Sequence, residues 1–172
     1  MDGRTSDHPG QRDVRAYGLG GRMLRELHDL TAGSVLAGER ECVTHGDPGP
    51  FNTIFRAGLP VALIDWDSCR PGGRLDDLAY MAWTWGVQAL GNVPVGEQAE
   101  HVRLVREGYG GVEPEVLVDA MLARQSGLAE VEAANARDQR LDTARRRHAV
   151  RAVEWARNDR AVLERHRDAF LR

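Results

Sequence analysis

Two acidic residues and one asparagine stand where they could assist the transfer of a phosphoryl group. Asp47 and Asn52 lie five positions apart in a loop rich in proline and glycine, and Asp65 ends a short apolar run. Phosphoryl transfer requires a carboxylate that accepts the proton of the substrate hydroxyl, and oxygen ligands that hold Mg²⁺ against the nucleotide phosphates. These side chains supply such oxygens, so the pattern favours Mg²⁺-dependent transfer to a hydroxyl group.

A predicted β-hairpin brings these residues together. Residues 53–55 and 60–64 are two short β-type runs, and a turn-like segment containing Gly58 separates them. Because a hairpin reverses the chain, Asp65 should come close to Asn52. We expect a further strand before the loop that carries Asp47.

The remainder of the chain is predicted to be mainly helical, which makes the fold α+β. Residues 23–30 repeat with a helical period, and Gly18, Gly20 and Gly21 before them are interpreted as a flexible entry to that helix. Further helical patterns cover residues 78–85, 97–109, 114–134 and 141–170, the last with a predicted break near Asn158. Residues 1–16 have no apolar period and are predicted to be a flexible arm, whereas residues 17–172 form one domain.

The composition excludes several other functions. The net charge is −3 and the pI is about 6.1, so there is no overall positive field for nucleic acid, and we expect none as a partner. No run of about 18 apolar residues exists and no stretch resembles a signal peptide, which predicts a cytoplasmic protein with no membrane contact. Cys42 and Cys69 are too few for a disulfide framework or a four-cysteine metal site.

The motifs HGDPGPFN (residues 45–52) and VALIDWD (residues 61–67) together resemble the catalytic and metal-binding loops of the aminoglycoside phosphotransferase and choline kinase-like family. The similarity covers roughly residues 20–89. It implies a fold like the carboxy-terminal lobe of a protein kinase, with a central β-hairpin. It also implies Mg²⁺ and ATP or GTP as cofactors, and a small-molecule hydroxyl substrate such as an aminoglycoside or an amino alcohol.

The same resemblance implies a role for individual residues. Asp47 would be the catalytic base. Asn52 and Asp65 would bind the cofactor, and these two residues with Asp67 would be the metal ligands. The structural supports that brace the catalytic loop would be His45 and Asp77.

Simpler interpretations are open for several residues. Asp47 and Asn52 are common turn formers, and Asp77 could be no more than an acid favoured by the dipole at a helix start. Aromatic residues at helical spacing are expected in the core, and consecutive arginines are expected to face water. The aromatic residues are Tyr80, Trp83 and Trp85. The consecutive arginines are Arg145, Arg146 and Arg147.

Members of the family recognise the ammonium groups of aminoglycosides with acidic residues on the helices of the carboxy-terminal lobe. By composition alone, the candidates here are Glu113, Glu115, Asp119, Glu130 and Glu132. Surface acids more often serve solubility, so the sequence does not identify the acceptor.

The family also has an amino-terminal lobe with a five-stranded sheet and a lysine that binds the nucleotide phosphates. All 23 basic residues here are arginine, and the residues before His45 contain no glycine-rich loop and no convincing strand. We therefore expect the nucleotide lobe to be missing, and a homodimer or a partner to cover the exposed surface or supply that lobe. The second hypothesis is a catalytically inactive, truncated kinase-like binding module.

Overall fold

Six α-helices and four short strands build the fold in this computed structural model, which describes residues 3–6 and 8–172. The strands are β1 (Cys42–Thr44), β2 (Thr53–Arg56), β3 (Leu59–Leu63) and β4 (Arg70–Gly72). The helices are α1 (Arg15–Thr31), α2 (Arg74–Gly86), α3 (Val95–Tyr109), α4 (Pro114–Arg137), α5 (Thr143–Arg165) and α6 (Arg167–Phe170). This mainly helical arrangement with small antiparallel sheets agrees with the predicted α+β class.

The four strands form two antiparallel pairs that frame the predicted site. β2 and β3 make the expected hairpin, with Thr53 opposite Leu63, and β1 pairs with β4, with Thr44 opposite Arg70. The loop after β1 and the loop after β3 therefore connect the same two sheets in opposite directions. Antiparallel pairing on both sides keeps these two loops adjacent.

Helix α2 is buried along most of its length and anchors the core. Every residue from Asp77 to Gly86 is buried, and the side chains of Trp83 and Trp85 are fully inaccessible to solvent. Trp83 stacks on Trp155 of α5 with ring centroids 4.4 Å apart. The prediction that the aromatic residues of this segment lie in the core is confirmed, and a helix held on all sides gives its first turn a fixed position.

Two expectations about the helices are corrected. Helix α5 continues past the exposed Asn158 and ends at Arg165, because a single asparagine on a solvent-facing position costs a helix only a fraction of 1 kcal/mol. Helix α1 begins at Arg15, so the glycines predicted to be a flexible entry lie inside it. A Cβ atom on Gly21 would meet the carbonyl oxygen of Val105, so the glycines allow α1 to pack closely on α3.

The described residues before α1 pack on the domain. Arg4 exchanges two backbone hydrogen bonds with Phe55 of the hairpin, at 3.0 and 2.8 Å. Arg12 is buried, and its Nη1 atom donates to the carbonyl oxygen of Trp85 at 3.2 Å. This differs from the flexible arm predicted over residues 1–16, because long-range hydrogen bonds, which leave no apolar period in the sequence, hold the described residues of the segment.

In the part of the chain that the structure describes, no helix combines the length and the apolar character that crossing a bilayer requires.

Candidate active site

The first turn of α2 holds the backbone of the predicted catalytic loop. The carboxylate of Asp77 accepts the backbone N–H groups of His45 at 2.6 Å and of Gly46 at 2.9 Å. His28 of α1 lies 3.2 Å from the same carboxylate through its Nε2 atom. Gly46 has φ of +85°, and a Cβ atom there would collide with the carbonyl oxygen of Ser68. Only glycine therefore fits at this position beside the loop that follows β3.

His45 connects the two loops through its ring. Its Nε2 atom lies 3.1 Å from the carbonyl oxygen of Ile64, and its Nδ1 atom accepts the backbone N–H of Asp47 at 3.4 Å. Since a carbonyl oxygen only accepts, Nε2 is the donor in its contact with Ile64. The ring also packs against Trp66, with centroids 4.5 Å apart. His45 thus ties Asp47 to the residue that precedes Asp65.

Asn52 makes a second connection between the loops. Its Nδ2 group donates to the backbone oxygen of Asp47 at 3.1 Å and to Oδ2 of that residue at 3.0 Å. The backbone carbonyl oxygen of Asn52 accepts the backbone N–H of Ile64 at 2.9 Å. Because the amide nitrogen of Asn52 donates to Asp47, the group that could bind a metal is its amide oxygen.

Asp47 has the environment of a proton acceptor. Burial raises the pKa of its carboxyl group, while the Tyr80 hydroxyl, His45, Arg124 and Asn52 act in the opposite direction. Its Oδ1 atom is buried and has no hydrogen-bond partner among the described residues. A buried carboxylate oxygen without a partner is costly, and such atoms occur where a ligand completes the site.

Asp65 and Asp67 occupy the turn that follows β3. Asp65 adopts a left-handed backbone conformation with φ of +63°, and Asp67 lies in the short 3₁₀ turn Trp66–Ser68. Left-handed geometry costs a residue with a Cβ atom about 1–2 kcal/mol, and such strain is often found at functional sites. The conformation turns the chain abruptly out of the hairpin beside the catalytic loop.

The predicted ligands fit Mg²⁺ in chemistry. The described residues contain no group of three histidine, cysteine or acidic side chains close enough to enclose a metal ion. Mg²⁺ does not need such an enclosure, because it binds through one or two carboxylates and completes its shell with water and phosphate oxygens. The amide oxygen of Asn52 and the carboxylates of Asp65 and Asp67 have the chemistry of such a set.

A cavity of about 540 Å³ opens beside Asp47, between the catalytic loop and helices α4 and α5. This is the size of a small-molecule site. Its walls include residues from several elements, among them Asp47, Phe51, Tyr80, Leu128, Arg151 and Trp155. Of the α4 and α5 residues in this wall, only Glu132 was a candidate by composition; the others belong to no motif and lie far from the loops in the chain.

Arg124 of α4 is another residue that the motifs did not indicate. Its Nη2 group donates to the carbonyl oxygen of Gly46 at 3.1 Å, and its guanidinium lies 4.9 Å from the ring centroid of Tyr80. It therefore contacts both the catalytic loop and an aromatic residue that faces Asp47. Its positive charge helps Asp47 to remain ionised.

Comparisons with known proteins relate the chain to one enzyme family. The sequence profile of the phosphotransferase enzyme family matches residues 4–114, a segment that contains both loops and ends where α4 begins. The trifolitoxin immunity protein of Rhizobium leguminosarum bv. trifolii is 34% identical over 124 residues, a match that covers 60% of this chain and 48% of that protein. The chain thus spans about half the length of this curated relative. No solved structure matches.

Proposed function

Because the chain belongs to the phosphotransferase enzyme family, we propose that it moves the γ-phosphoryl group of ATP or GTP to a hydroxyl group of a small molecule, with Mg²⁺. One observation carries the proposal. The side chain of Asn52 donates to Asp47, and its backbone accepts from Ile64, so the proton acceptor and the metal loop meet at one residue.

The proposed chemistry assigns a task to each residue. Asn52, Asp65 and Asp67 would hold Mg²⁺, which neutralises the charge of the nucleotide phosphates when it is bound. Asp47, which lines the cavity, would take the proton of the acceptor hydroxyl on its carboxylate. The acceptor oxygen bonds to the γ-phosphorus, and the bond from that phosphorus to the leaving nucleoside diphosphate breaks. His45 and Asp77 keep the loop in place and touch no reacting atom.

The order of elements supports a kinase-like carboxy-terminal lobe. A strand, the catalytic loop, a hairpin, the metal loop and a partner strand follow one another, and a helix begins directly afterwards. On the hairpin side, Val61, Ile64 and Trp66 leave 46%, 38% and 42% of their surfaces exposed. Apolar area of this kind suits a second lobe, supplied by a partner or by a second copy of the chain.

The name of the relative favours a second candidate function. That protein is described as an immunity protein for trifolitoxin, and immunity can result from capture of a toxic compound as well as from its modification. The alternative is therefore a kinase-like binding module that holds a compound without transferring phosphate.

A transfer assay separates the two candidates. Labelled γ-phosphate from ATP and GTP is followed into a panel of hydroxylated compounds, with and without Mg²⁺. We expect Mg²⁺-dependent transfer that falls at least 100-fold in Asp47→Asn, since the amide cannot accept the proton. The control is Glu115→Gln, a change at an exposed acid outside the cavity at Asp47. Undiminished transfer in Asp47→Asn would remove that residue from the base role, and compound binding without any transfer would favour the binding module.

A further inference from the structure

We propose that the acceptor is a hydroxylated molecule with an apolar body and an anionic group, and that Arg151 binds this anionic group. The inference rests on the proposed function, because it names the substrate class of the same site. It also differs from the polycationic or amino-alcohol acceptor that the sequence resemblance suggested. Three features of the cavity beside Asp47 support it.

The first feature is the lack of a free acid for an ammonium group. Of the five acidic residues that the sequence offered for this purpose, Glu132 is the one that lines the cavity. Both of its carboxylate oxygens accept from the guanidinium of Arg145 at 2.7 Å, and these bonds hold its pKa below the usual range. Glu132 therefore remains ionised, but its charge is already matched.

The other four acids lie elsewhere. Asp119 forms an ion pair with Arg167 at 2.8 Å, and Glu113 and Glu130 line different cavities. Glu115 is exposed near the start of α4. Among the described residues that line the cavity, Asp47 is thus the one acid that forms no ion pair, and its proposed task is to accept the hydroxyl proton.

The second feature is a set of basic groups on one face of α5. His148 and Arg151 both line the cavity, and Arg145 precedes them at the same three-residue spacing, which places all three on neighbouring turns of one helix face. Arg151 has no hydrogen-bond or ion-pair partner among the described residues. A free guanidinium is a planar group with five donors that fits a carboxylate or a phosphate in a bidentate manner.

The third feature is the apolar wall between the two charged ends. Trp155 follows Arg151 by one helical turn, and its ring is fixed by stacking on the buried Trp83. Leu128 and Phe51 complete the apolar surface. A rigid aromatic wall favours an apolar ligand body, whereas a polycation would meet the unpaired positive charge of Arg151.

The test uses three probes that share a benzene ring and a hydroxymethyl group and differ in charge. They are 4-(hydroxymethyl)benzoate, 4-(hydroxymethyl)benzamide and protonated 4-(aminomethyl)benzyl alcohol. Ligand-observed NMR titration of the full chain, without nucleotide, gives the affinity for each probe. We expect the benzoate to bind at least tenfold more tightly than the benzamide, and the cationic probe to bind most weakly.

Two variants assign the preference to a residue. Arg151→Gln should remove the benzoate advantage and leave benzamide binding unchanged, whereas Arg147→Gln, at an exposed arginine of the same helix outside the cavity, should preserve it. Equal affinities, absence of binding by all three probes, preference for the cation, or an advantage that survives in Arg151→Gln would overturn the inference. Phosphoryl transfer to an uncharged or cationic acceptor would also overturn it and would leave the proposed function intact.

Discussion

The backbone N–H of His45 donates to the carboxylate of Asp77 across 2.6 Å, and this contact fixes the catalytic loop to the start of α2. Asp77 is only 2% exposed, so its charge depends on nearby donors. The N–H of Gly46 and the positive end of the α2 dipole supply further stabilisation. One buried carboxylate therefore holds two consecutive N–H groups of the loop.

Replacement of this carboxylate should be costly. We expect Asp77→Asn to lower the free energy of unfolding by about 2–4 kcal/mol, because the loop N–H groups lose charge-assisted acceptors and an amide N–H group faces them. Urea denaturation followed by circular dichroism measures the change. Asp76→Asn, at the exposed neighbour in the same helical turn, should change stability by no more than about 0.5 kcal/mol. Equal effects of the two substitutions would contradict the bracing role.

Asp47 should show a conflict between stability and activity. Burial raises its pKa in the folded protein, so its contribution to stability is full below the pKa of the unfolded chain and is lost as pH rises through the folded value. We expect Asp47→Asn to be more stable than the parent at pH 7 and to lose this advantage below about pH 4. Paired denaturation curves at several pH values provide the measurement. A variant less stable than the parent at pH 7 would show that the ionised carboxylate contributes to the fold.

The left-handed conformation of Asp65 leads to a comparison of two substitutions. Glycine adopts φ of +63° without strain, whereas alanine does not. Asp65→Gly should therefore be about 1 kcal/mol more stable than Asp65→Ala, and both should lose the Mg²⁺ dependence of nucleotide binding. Thermal denaturation with a Mg²⁺ titration in the presence of ATP tests both parts. If alanine is as stable as glycine, the backbone at this position is not strained in solution.

Asp159 should make stability depend on pH far from the catalytic loop. It is buried, accepts from Trp83 Nε1 at 2.9 Å and from the backbone N–H of Ala89 at 2.7 Å, and burial raises its pKa to about 6. Because the pKa of Asp159 is raised by folding, its contribution to stability is fully present below the ordinary pKa near 3.8. The contribution is lost as pH rises through the folded pKa of about 6. The loss attributable to Asp159 should reach about 3 kcal/mol by pH 7.

The isosteric variant isolates this contribution. Asp159→Asn should flatten the profile of unfolding free energy between pH 4 and pH 7, although it starts less stable in acid because an amide has one acceptor oxygen for two donors. Denaturant titrations across this pH range compare the variant with the parent. Parallel profiles would assign the pH dependence to other groups.

The two loops and the hairpin between them could be predicted from the sequence, because short motifs and strand-like runs specify them. The hairpin follows from two β-type runs around a turn, and its register alone brings Asn52 beside Ile64. The cavity walls could not be predicted in the same way. Arg124 and Trp155 reach the site through the packing of α4 on α5, and such long-range packing leaves no short motif.

The three consecutive arginines illustrate the same limit. A run of charges predicts a solvated face. The guanidinium of Arg145, however, binds Glu132 of the neighbouring helix, and its side chain is 37% exposed. The repeat of basic residues at 145, 148 and 151 was the available signal, since this spacing marks one side of a helix. It could not be interpreted without the neighbouring helix.

The separation of catalytic and metal loops by a hairpin has an evolutionary consequence. The hydrogen bonds at its open end set the distance between the loops, so the length of the hairpin beyond Thr53 and Leu63 does not enter the geometry of the site. Homologues could lengthen both strands together, or enlarge the turn at Ala57 and Gly58, without displacing Asn52 from Ile64. The pairing already contains one irregularity, between Ile54 and Phe55; elsewhere in the strands, insertion of a single residue would shift the pairing and turn its side chains to the opposite face. Lineages should therefore tolerate paired insertions here and reject unpaired ones away from the irregularity at Ile54 and Phe55.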